Sequence, residues 1–319
     1  MEISIVIPVF NREKLIIRAL DSVMAQTHKH LHIIVIDNNS TDGTLAAVEQ
    51  YADSHRTDET RFTIASQPIP GAAAARHKGS ELADTEWIMF FDSDDTMLPD
   101  LVERYVNAIN SEDDQLMLVC TGATVQQPDG KLIEKPIFDR NPIENHIFHS
   151  FLATQRMIVR KSYLEQCGNW NHDAKIWNDW ELGLRLLLPH PSTLVMGGKS
   201  SVVIHPQTES ITGTDYSSRA ESILATIDIA EAAVNRFFDE NPERTFKPCR
   251  ERILRLLDYK RMALAGLCEH EHKGAGKALR DKVLAKYAKS SSTRRFIYSL
   301  IFDHTATGLR GSYIWAHFL

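Results

Sequence analysis

Three aspartates lie within four positions of the segment FFDSDDTMLP, at residues 90–99, directly after an apolar run. Asp92, Asp94 and Asp95 carry like charges, so the chain must either supply a cation or leave the carboxylates in water. In an extended segment alternate side chains share a face, which places Asp92 and Asp94 together. Two such oxygen ligands suit Mg²⁺ or Mn²⁺, with phosphate oxygens and water as further ligands. The alternative is an Asx turn before a capped helix.

The segments around these aspartates predict the elements that position them. Strand and helix patterns alternate through the first half of the chain, which indicates βαβ units and a mainly parallel sheet. The strand segments are nearly continuous apolar runs, as is typical of a sheet with helices on both faces. In such sheets ligands bind beyond the carboxyl ends of the strands, where this chain places polar residues. The predicted strands are residues 3–7, 32–36, 61–66 and 87–91, and the predicted helices are 13–26, 44–52 and 72–83.

Composition and charge exclude several classes of function. The chain has 319 residues, of which 43% are hydrophobic and 24% charged, as in an ordinary soluble globular protein. Its net charge of -6 argues against a nucleic-acid binder that relies on phosphate contacts. The cysteines form no C-x-x-C pair and are far apart, so neither a zinc site nor a disulfide framework is predicted. They are Cys120, Cys167, Cys249 and Cys268.

Hydropathy indicates where the protein is expected to reside. The first residues, MEISIVIPVF, lack the basic region and long apolar stretch of a signal peptide. No segment approaches the roughly 18 uninterrupted apolar residues that a spanning helix requires. We therefore expect a cytoplasmic protein, or one attached peripherally at the inner face of the membrane.

Four stretches, in this order, resemble the motifs of one known family. They are SIVIPVFNRE, IIVIDNNSTDGT, GAAAARHKGSELADTEWIMFFDSDD and WNDWELGLRLL. Together they are similar to the family 2 glycosyltransferases of GT-A fold, which are mostly inverting and use nucleotide sugars. Several motifs in the right order are more specific than any one of them. The resemblance spans roughly residues 1–210 and implies a Rossmann-like α/β domain with a mainly parallel sheet and helices on both faces. Helical periodicity after this domain predicts a helical C-terminal region.

By this resemblance the segment DSDD takes the role of the D-x-D motif of the family. Asp94 would ligate a divalent metal, Mn²⁺ or Mg²⁺, and Asp92 would hold the ribose or a metal-bound water. The metal would neutralise the carboxylates and the diphosphate and so ease departure of the nucleoside diphosphate. Many relatives carry a histidine near the position of His205 that approaches the metal or the diphosphate. An ordinary, partly buried histidine is the alternative.

The resemblance also implies a nucleotide pocket. A carboxylate at position 37 suits uracil because it accepts the imide N–H, so a UDP-sugar is the expected donor. GDP and dTDP remain open, because Asn38 and Asn39 replace the Asp and Gly of the commoner DDGS pattern. The arginine of the pocket would neutralise phosphate or contact the base, and its alternative is an ion pair on a solvated helix face. The implied pocket residues are Pro8, Val9, Phe10, Asp37, Asn39, Arg76 and Asp92.

An inverting transfer needs a carboxylate that takes a proton from the acceptor hydroxyl. The segment NDWELGLRL resembles the E-D-x-x-L-x-x-R-L motif of the family, whose second acidic residue is the base. That residue is Asp179, and the positive potential at the first turn of a helix favours its ionised form. Asn178 replaces the usual Glu and is the predicted N-cap. The alternative is an ordinary helix N-terminus, which favours such residues anyway.

Three tryptophans flank this segment. Trp170, Trp177 and Trp180 are spaced too closely for all three to belong to the core. An aromatic face is a good platform for a sugar ring, so at least one of them is a candidate for sugar stacking. Packing in the core is the alternative for each tryptophan.

We expect two regions. Residues 1–214 would form the GT-A catalytic domain, with a nucleotide-sugar half at about 1–100 and an acceptor half at about 101–214. Residues 215–319 would form a helical C-terminal extension with apolar stripes. Its basic and aromatic end would either dock on an anionic membrane, where lipid-linked acceptors reside, or pack as buried helices.

The sequence thus predicts an inverting glycosyltransferase that moves a sugar from a nucleotide diphosphate donor to a glycan or lipid-linked acceptor, in cell-surface polysaccharide synthesis. No nucleic-acid partner is expected. One alternative is a GT-A-like protein that binds a nucleotide sugar without turnover, which Asn38 and Asn178 make plausible. The other is a sugar-phosphate nucleotidylyltransferase, although that class usually carries a Gly-rich, basic loop where this chain has PVFNREK.

Overall fold

The structure is a computed structural model that falls into two compact units. The first unit comprises Met1–Asp139, Phe151–Asp173 and Pro189–Thr208, and the second comprises Arg140–Ser150, Ala174–Leu188 and Glu209–Leu319. The residues that the structure describes are 1–127, 129–135, 137, 141–198, 200–205, 215–243, 248–289 and 292–319.

All of the strands below belong to the first unit. They are β1 (Ile3–Val9), β2 (Leu31–Asp37), β3 (Thr60–Ser66), β4 (Trp87–Phe90), β5 (Thr96–Met97), β6 (Leu116–Cys120), β7 (Ala123–Gln126), β8 (Leu132–Lys135), β9 (Met157–Arg160), β10 (Ser192–Val195) and β11 (Val202–Ile204).

The helices are divided between the two units. They are α1 (Ile16–Met24), α2 (Thr44–His55), α3 (Ala72–Leu82), α4 (Leu101–Asn110), α5 (Pro142–His149), α6 (Lys161–Gln166), α7 (Asn178–Leu187), α8 (Tyr216–Glu240), α9 (Arg250–Glu271), α10 (Lys277–Lys286), α11 (Ser292–Ala306) and α12 (Tyr313–Ala316).

The main sheet has the strand order β10-β6-β9-β4-β1-β2-β3. Strand β1 lies parallel to β2 and β4, and β2 lies parallel to β3, so the predicted mainly parallel sheet is confirmed. Only β9 among these strands runs antiparallel to both of its neighbours, β4 and β6. The register aligns Val9 with Asp37 and Asp37 with Ser66. The carboxyl ends of β1, β2 and β3 therefore meet at one edge of the sheet.

The core explains why these segments form buried strands. Every residue of β1 and β2 is buried, which matches their continuous apolar sequences. Helix α3 packs closely over β1 because Gly79 has no side chain. A Cβ atom at Gly79 would lie 2.2 Å from Val6 Cγ1 and 3.3 Å from Ile36 Cγ1. This close packing sets the position of α3, which carries Arg76.

A smaller sheet with the order β5-β11-β7-β8 lies in the same unit. Strands β7 and β8 form an antiparallel hairpin, and the sequence between them includes QPDG at residues 127–130, a composition typical of a turn. In the described part of that turn, the Gly130 N–H donates to Gln127 O at 2.8 Å. This sheet positions Thr96, in β5, and His205, directly after β11.

Two predicted helix starts differ from the structure. Helix α1 begins at Ile16 rather than at residue 13, because the chain first makes a turn in which the Leu15 N–H donates to Arg12 O. The prediction that Asn178 is an N-cap is wrong, since α7 begins at Asn178 itself. The preceding residue, Trp177, has a left-handed backbone with φ +56° and provides no side-chain cap.

The second unit is helical, as predicted for the C-terminal region. Helices α8, α10 and α11 each pack against α9. Helices α5 and α7, from the predicted acceptor half, also belong to this unit. The predicted boundary after residue 214 lies outside the described residues. Within the ranges given above, no helix has both the length and the apolar character to cross a bilayer.

Candidate functional site

The three aspartates of the DSDD segment follow β4 and have different surroundings. The Asp92 carboxylate accepts a hydrogen bond from the Arg76 guanidinium, with Nη2 and Oδ1 2.6 Å apart. The Asp94 carboxylate lies 3.6 Å from Arg12 Nε. Its side chain is 24% exposed and that of Asp92 is 29% exposed, so a ligand can reach both carboxylates. Asp95, in contrast, is buried.

Asp95 accepts hydrogen bonds on both carboxylate oxygens. Gln155 Nε2 donates to Oδ2, and the His205 backbone N–H donates to Oδ1 at 2.9 Å. Burial, followed by the charge of Asp92, raises the pKa of Asp95 to about 8. The pKa of Asp94 is also raised, first by burial and then by Asp92. The nearby arginines therefore do not fully balance the negative charge of the cluster.

This electrostatic arrangement fits a divalent cation. Carboxylates with raised pKa values at a partly exposed site are hard oxygen donors that a cation would keep ionised. Across the described ranges no three His, Cys, Asp or Glu side chains converge on one metal position. Asp92 and Asp94 would thus hold Mg²⁺ or Mn²⁺ as part of an open site, with phosphate oxygens and water completing the coordination.

His205 lies beside this cluster through its backbone, while its ring is bonded elsewhere. Its Nδ1 is 2.7 Å from Gln126 Oε1, and its Nε2 is 2.8 Å from Thr96 Oγ1. Burial and then the charge of Arg18 lower the pKa of His205, which favours the neutral imidazole. With Nδ1 donating to the amide oxygen, Nε2 is the nitrogen with the lone pair. A metal would have to displace the Thr96 hydroxyl to bind it.

Arg76 is buried rather than placed on a solvated helix face. Its guanidinium carbon lies 4.8 Å from the centroid of the Trp170 ring, in a cation–π contact. Trp170 is itself buried, and so is Trp180, so two of the three tryptophans belong to the interior. The ion pair considered as an alternative for Arg76 does exist, but its partner is Asp92, the first aspartate of DSDD.

Asp37 lies at the carboxyl end of β2 with one carboxylate oxygen unused. Its Oδ2 accepts from the Ser40 N–H at 3.2 Å, whereas Oδ1 is buried and has no hydrogen-bond partner within the described part of the chain. A buried polar atom without a partner is costly unless a ligand supplies one. The free acceptor fits a ligand N–H donor, as an imide supplies.

The three residues at the end of β1 differ in exposure. Pro8 and Val9 are buried in the sheet, and Val9 belongs to the hydrophobic core. Phe10 is 53% exposed. Of these three side chains, Phe10 is therefore the one with a large surface available to a ligand, and it directly follows the strand that pairs with Asp37.

The two asparagines after Asp37 have separate roles. The Asn38 amide group donates to Gln67 O at 2.7 Å and to Ile69 O at 2.8 Å, and its oxygen accepts from the Gly71 N–H. A carboxylate could not donate to two carbonyl oxygens. Asn38 therefore holds the loop that leads into α3. Asn39 is exposed, has φ +68°, and donates to Pro68 O at 3.1 Å.

Asp179 lies in the first turn of α7, as predicted, and belongs to the second unit. Its Oδ1 accepts from the Trp180 N–H at 2.8 Å. Two residues later, Glu181 is buried and accepts two hydrogen bonds from Arg185, of 2.6 and 2.7 Å. In the first turn of α7, Asp179 is thus the acidic residue that remains partly exposed.

Three residues that contact the predicted site residues, two in the first unit and one in the second, carry no signal in the sequence. Gln155 meets Asp95 across 60 positions of the chain, and Arg18 donates to the backbone oxygen of Asp94. Lys260, on α9, places its Nζ 4.7 Å from the ring centroid of Trp177 and 5.3 Å from that of Trp180. Arg12 could have been predicted as a site residue, because it lies in the PVFNRE segment of the first motif.

Comparison with known sequences gives one family and several relatives. Residues 4–167 match the sequence model of glycosyl transferase family 2. A Bacillus subtilis (strain 168) protein named as glycosyltransferase EpsH is 31% identical over 171 residues. The alignment covers 51% of this chain and 48% of EpsH, so the chain spans about half the length of this curated relative.

Comparison with solved structures shows the GT-A fold. The crystal structure of S. aureus TarS 1–349 superposes with a TM-score of 0.66 at 16% identity, covering 97% of this chain and 92% of that one. Its complex with UDP-GlcNAc gives a TM-score of 0.60. The mannosyltransferase PcManGT from Pyrobaculum calidifontis, in complex with GDP-Man and Mn²⁺, gives 0.56 at 17% identity, covering 99% of this chain and 83% of that one.

Proposed function

The chain belongs to glycosyl transferase family 2, and we propose that it transfers a sugar, with inversion, from a nucleotide diphosphate donor to a glycan or lipid-linked acceptor. A UDP-sugar is the proposed donor, and cell-surface polysaccharide synthesis is the proposed process. The observation that carries the proposal is the carboxylate cluster after β4, where burial and mutual repulsion raise the pKa values of Asp94 and Asp95. Such a cluster fits a cation that bridges to a diphosphate.

The unused oxygen of Asp37 supports uracil as the base. The imide N–H of uracil donates, and a buried acceptor without a partner is suited to it. Phe10 offers an aromatic surface at the end of the neighbouring strand, on which a base or ribose can stack. TarS binds UDP-GlcNAc and PcManGT binds GDP-Man, so the fold accepts more than one nucleotide and the base must be tested directly.

The residues of this chain would share the work of holding and activating the donor. Asp94 and Asp92 would hold the divalent metal, which when bound neutralises the diphosphate and stabilises it as a leaving group. His205 is proposed to approach the same site once its bond to Thr96 is released. Arg76, permanently charged and already bonded to Asp92, would add positive charge for the diphosphate.

Asp179 is the proposed general base. In an inverting displacement the acceptor hydroxyl attacks the anomeric carbon while a carboxylate takes its proton, and the bond to the diphosphate oxygen breaks. The N-terminal turn of α7 favours the ionised carboxylate that this step needs. The hydrogen bond from the Trp180 N–H to Asp179 Oδ1 orients the group.

The C-terminal helices are the proposed place of membrane contact for a cytoplasmic enzyme with a lipid-linked acceptor. One side of α11 is buried, including Ile297, Tyr298, Ile301 and Phe302. Four large apolar side chains near the end of the chain remain exposed, and basic residues lie close to them in sequence. They are Phe296, Leu309, Ile314 and Phe318, at 63%, 63%, 54% and 70% exposure.

Flotation with liposomes tests this contact. Wild type should float with anionic vesicles, and a variant with Phe296, Leu309, Ile314 and Phe318 replaced by Ser should stay in the soluble fraction. Equal recovery of both proteins in the soluble fraction would contradict the membrane contact. It would leave the transfer reaction as proposed.

Calorimetric titration with UDP, GDP and dTDP, each with Mn²⁺ and with EDTA, tests the donor class. We expect metal-dependent binding of UDP by wild type, and its loss in Asp94→Ala. Donor hydrolysis in the presence of Mn²⁺ then separates an enzyme from a protein that only binds nucleotide sugars. If no nucleotide binds under any condition, the proposed function is wrong.

A further inference from the structure

Lys260 on α9 lies against the segment that carries Asp179. Its ammonium is 4.7 Å from the ring centroid of Trp177 and 5.3 Å from that of Trp180, within the range of cation–π contacts. The two indole rings meet edge to face, with centroids 6.0 Å apart and planes at 63°. The ammonium of Lys260 therefore contacts both Trp177 and Trp180, the tryptophans on either side of Asp179 in the sequence. All four residues belong to the second unit.

Trp177, which Lys260 contacts, has an uncommon backbone conformation. Trp177 has φ +56°, a left-handed conformation that is rare for a bulky residue and persists only where the surroundings enforce it. It directly precedes the first residue of α7, where a side-chain cap is absent. At the start of α7 the Trp177 side chain contacts Lys260 and Trp180 instead of capping the helix.

The charge of Lys260 also interacts with the charge of Asp179. Burial lowers the pKa of Lys260 to about 8, and the Asp179 carboxylate acts against burial and raises it. The attraction is mutual, so the protonated lysine favours the ionised form of Asp179. At neutral pH most of the lysine is charged, and the charge is lost above pH 8.

Other titratable groups on the helices around Lys260 are neutral or paired with other residues, so they do not take the place of Asp179. His149, on α5, has a pKa lowered by burial, by Lys260 and by His317, so it is neutral beside the lysine. Charged side chains of α8 and α10 pair with other residues of α9. These pairs are Asp228 and Glu231 with Arg261, Asp239 with Arg250, and Lys286 with Asp258.

We propose that Lys260 is a positioning residue, whose ammonium, held over Trp177 and Trp180, keeps the first turn of α7 in place and Asp179 ionised. The proposal rests on the proposed function, in which Asp179 is the general base. Lys260 itself does not contact the reacting atoms in this account. It acts through the orientation and charge of Asp179.

The kinetic test compares Lys260→Met, Lys260→Arg and the surface control Lys273→Met. We expect kcat/KM of wild type to fall above about pH 8 as Lys260 loses its charge. Lys260→Arg should keep activity and shift this fall to higher pH, because the guanidinium stays charged. Lys260→Met should lose activity roughly 10- to 100-fold at pH 7 through kcat, with the donor KM unchanged. An alkaline fall that persists unchanged in Lys260→Met would overturn the proposal.

Tryptophan fluorescence provides a second readout that needs no activity. Wild type and Lys273→Met should show an emission change with a midpoint near pH 8, as the cation over the two indoles is neutralised. Lys260→Met and Lys260→Arg should lack this transition. A wild-type emission that does not change between pH 7 and 9.5 would overturn the proposal even in an active enzyme.

Activity and tryptophan fluorescence together distinguish a failure of the proposed function from a failure of the role proposed for Lys260. If the transition is present but wild type neither transfers nor hydrolyses a donor, the proposed function fails and the positioning role fails with it. If wild type is active and the lysine variants match it at every pH, only the positioning role is wrong.

Discussion

Arg76 Nη2 lies 2.6 Å from Asp92 Oδ1, so the first aspartate of the DSDD segment is paired with a buried arginine inside the protein. Asp94 has a longer contact, at 3.6 Å, with Arg12. The two carboxylates are therefore unequal. Asp92 is bound to a cation of the chain, whereas Asp94 combines a raised pKa with weaker pairing and has more to gain from a metal.

The variant Asp94→Asn tests, through thermal stability, whether the Asp94 carboxylate binds the metal. Mn²⁺ at about 100 times its dissociation constant should stabilise wild type by about 2.7 kcal/mol, seen as a rise in Tm. The rise should be largely lost in Asp94→Asn and retained in Asp58→Asn, which changes an exposed carboxylate elsewhere. Thermal unfolding with and without EDTA measures both. A rise of equal size in Asp94→Asn would show that this carboxylate does not bind the metal.

Asp37→Asn should change the base preference. The Ser40 N–H needs an oxygen at the Oδ2 position, so the new amide NH₂ would take the place of the unused Oδ1. A donor would then face the imide N–H of uracil, and UDP affinity should fall by about 2 kcal/mol, or roughly 30-fold. CDP, whose ring nitrogen accepts, should gain relative to UDP. Unchanged UDP affinity in calorimetry would remove Asp37 from the base site.

Asn38→Asp should destabilise the first unit. The substitution removes the hydrogen bonds to Gln67 O and Ile69 O and places a carboxylate against both carbonyl oxygens. Loss of these buried bonds should lower the free energy of unfolding by about 2 kcal/mol or more. Asn39→Asp, at the exposed neighbour, is the matched control and should cost well under that amount. Urea unfolding that ranks the two variants the other way would refute the structural role of Asn38.

Gly79→Ala should disturb the packing of α3 on the sheet. The new Cβ would lie 2.2 Å from Val6 Cγ1, closer than atoms can approach, so helix or strand must move. Overpacking of this kind costs about 1–3 kcal/mol. Gly197→Ala adds the same atom where nothing lies within 4 Å and serves as the control. Equal Tm values for the two variants would mean that α3 does not pack as described.

Lys260→Met should change how stability depends on pH. The pKa of Lys260 is about 8 in the folded protein, below its ordinary value of 10.5. Between these values the unfolded chain binds more protons, so the free energy of unfolding of wild type should rise with pH in this window, relative to Lys260→Met. Urea unfolding at pH 8, 9 and 10 measures the difference. Parallel curves for the two proteins would indicate that Lys260 is not buried as a cation.

Sequence reasoning was most successful where the pattern is local. The first four strands and three helices lie close to their predicted positions, because hydrophobic periodicity follows directly from backbone geometry. The position of Asp179 in the first turn of α7 was also predictable. The predicted N-cap at Asn178 was wrong, because α7 begins at Asn178 itself, after a left-handed backbone at Trp177 that spacing does not reveal.

The asparagines show where a motif alone misleads. Asn38 was noted as a departure from the acidic pattern of the family and therefore as a reason to consider loss of activity. The structure gives it a task that a carboxylate cannot perform, donating to two backbone carbonyls. Whether a substitution removes a function or serves a neighbouring loop depends on partners that lie about 30 residues away.

The sequence by itself determined the first four strands, the helices between them and the strand ends at which the polar residues lie, because these depend on composition and spacing along short segments. Only the tertiary structure decided how each charged group is paired. Arg76 with Asp92, Gln155 with Asp95 and Lys260 with the tryptophans are contacts between elements separated in the chain. Burial and charge at such contacts set the pKa values, and neither can be read from spacing.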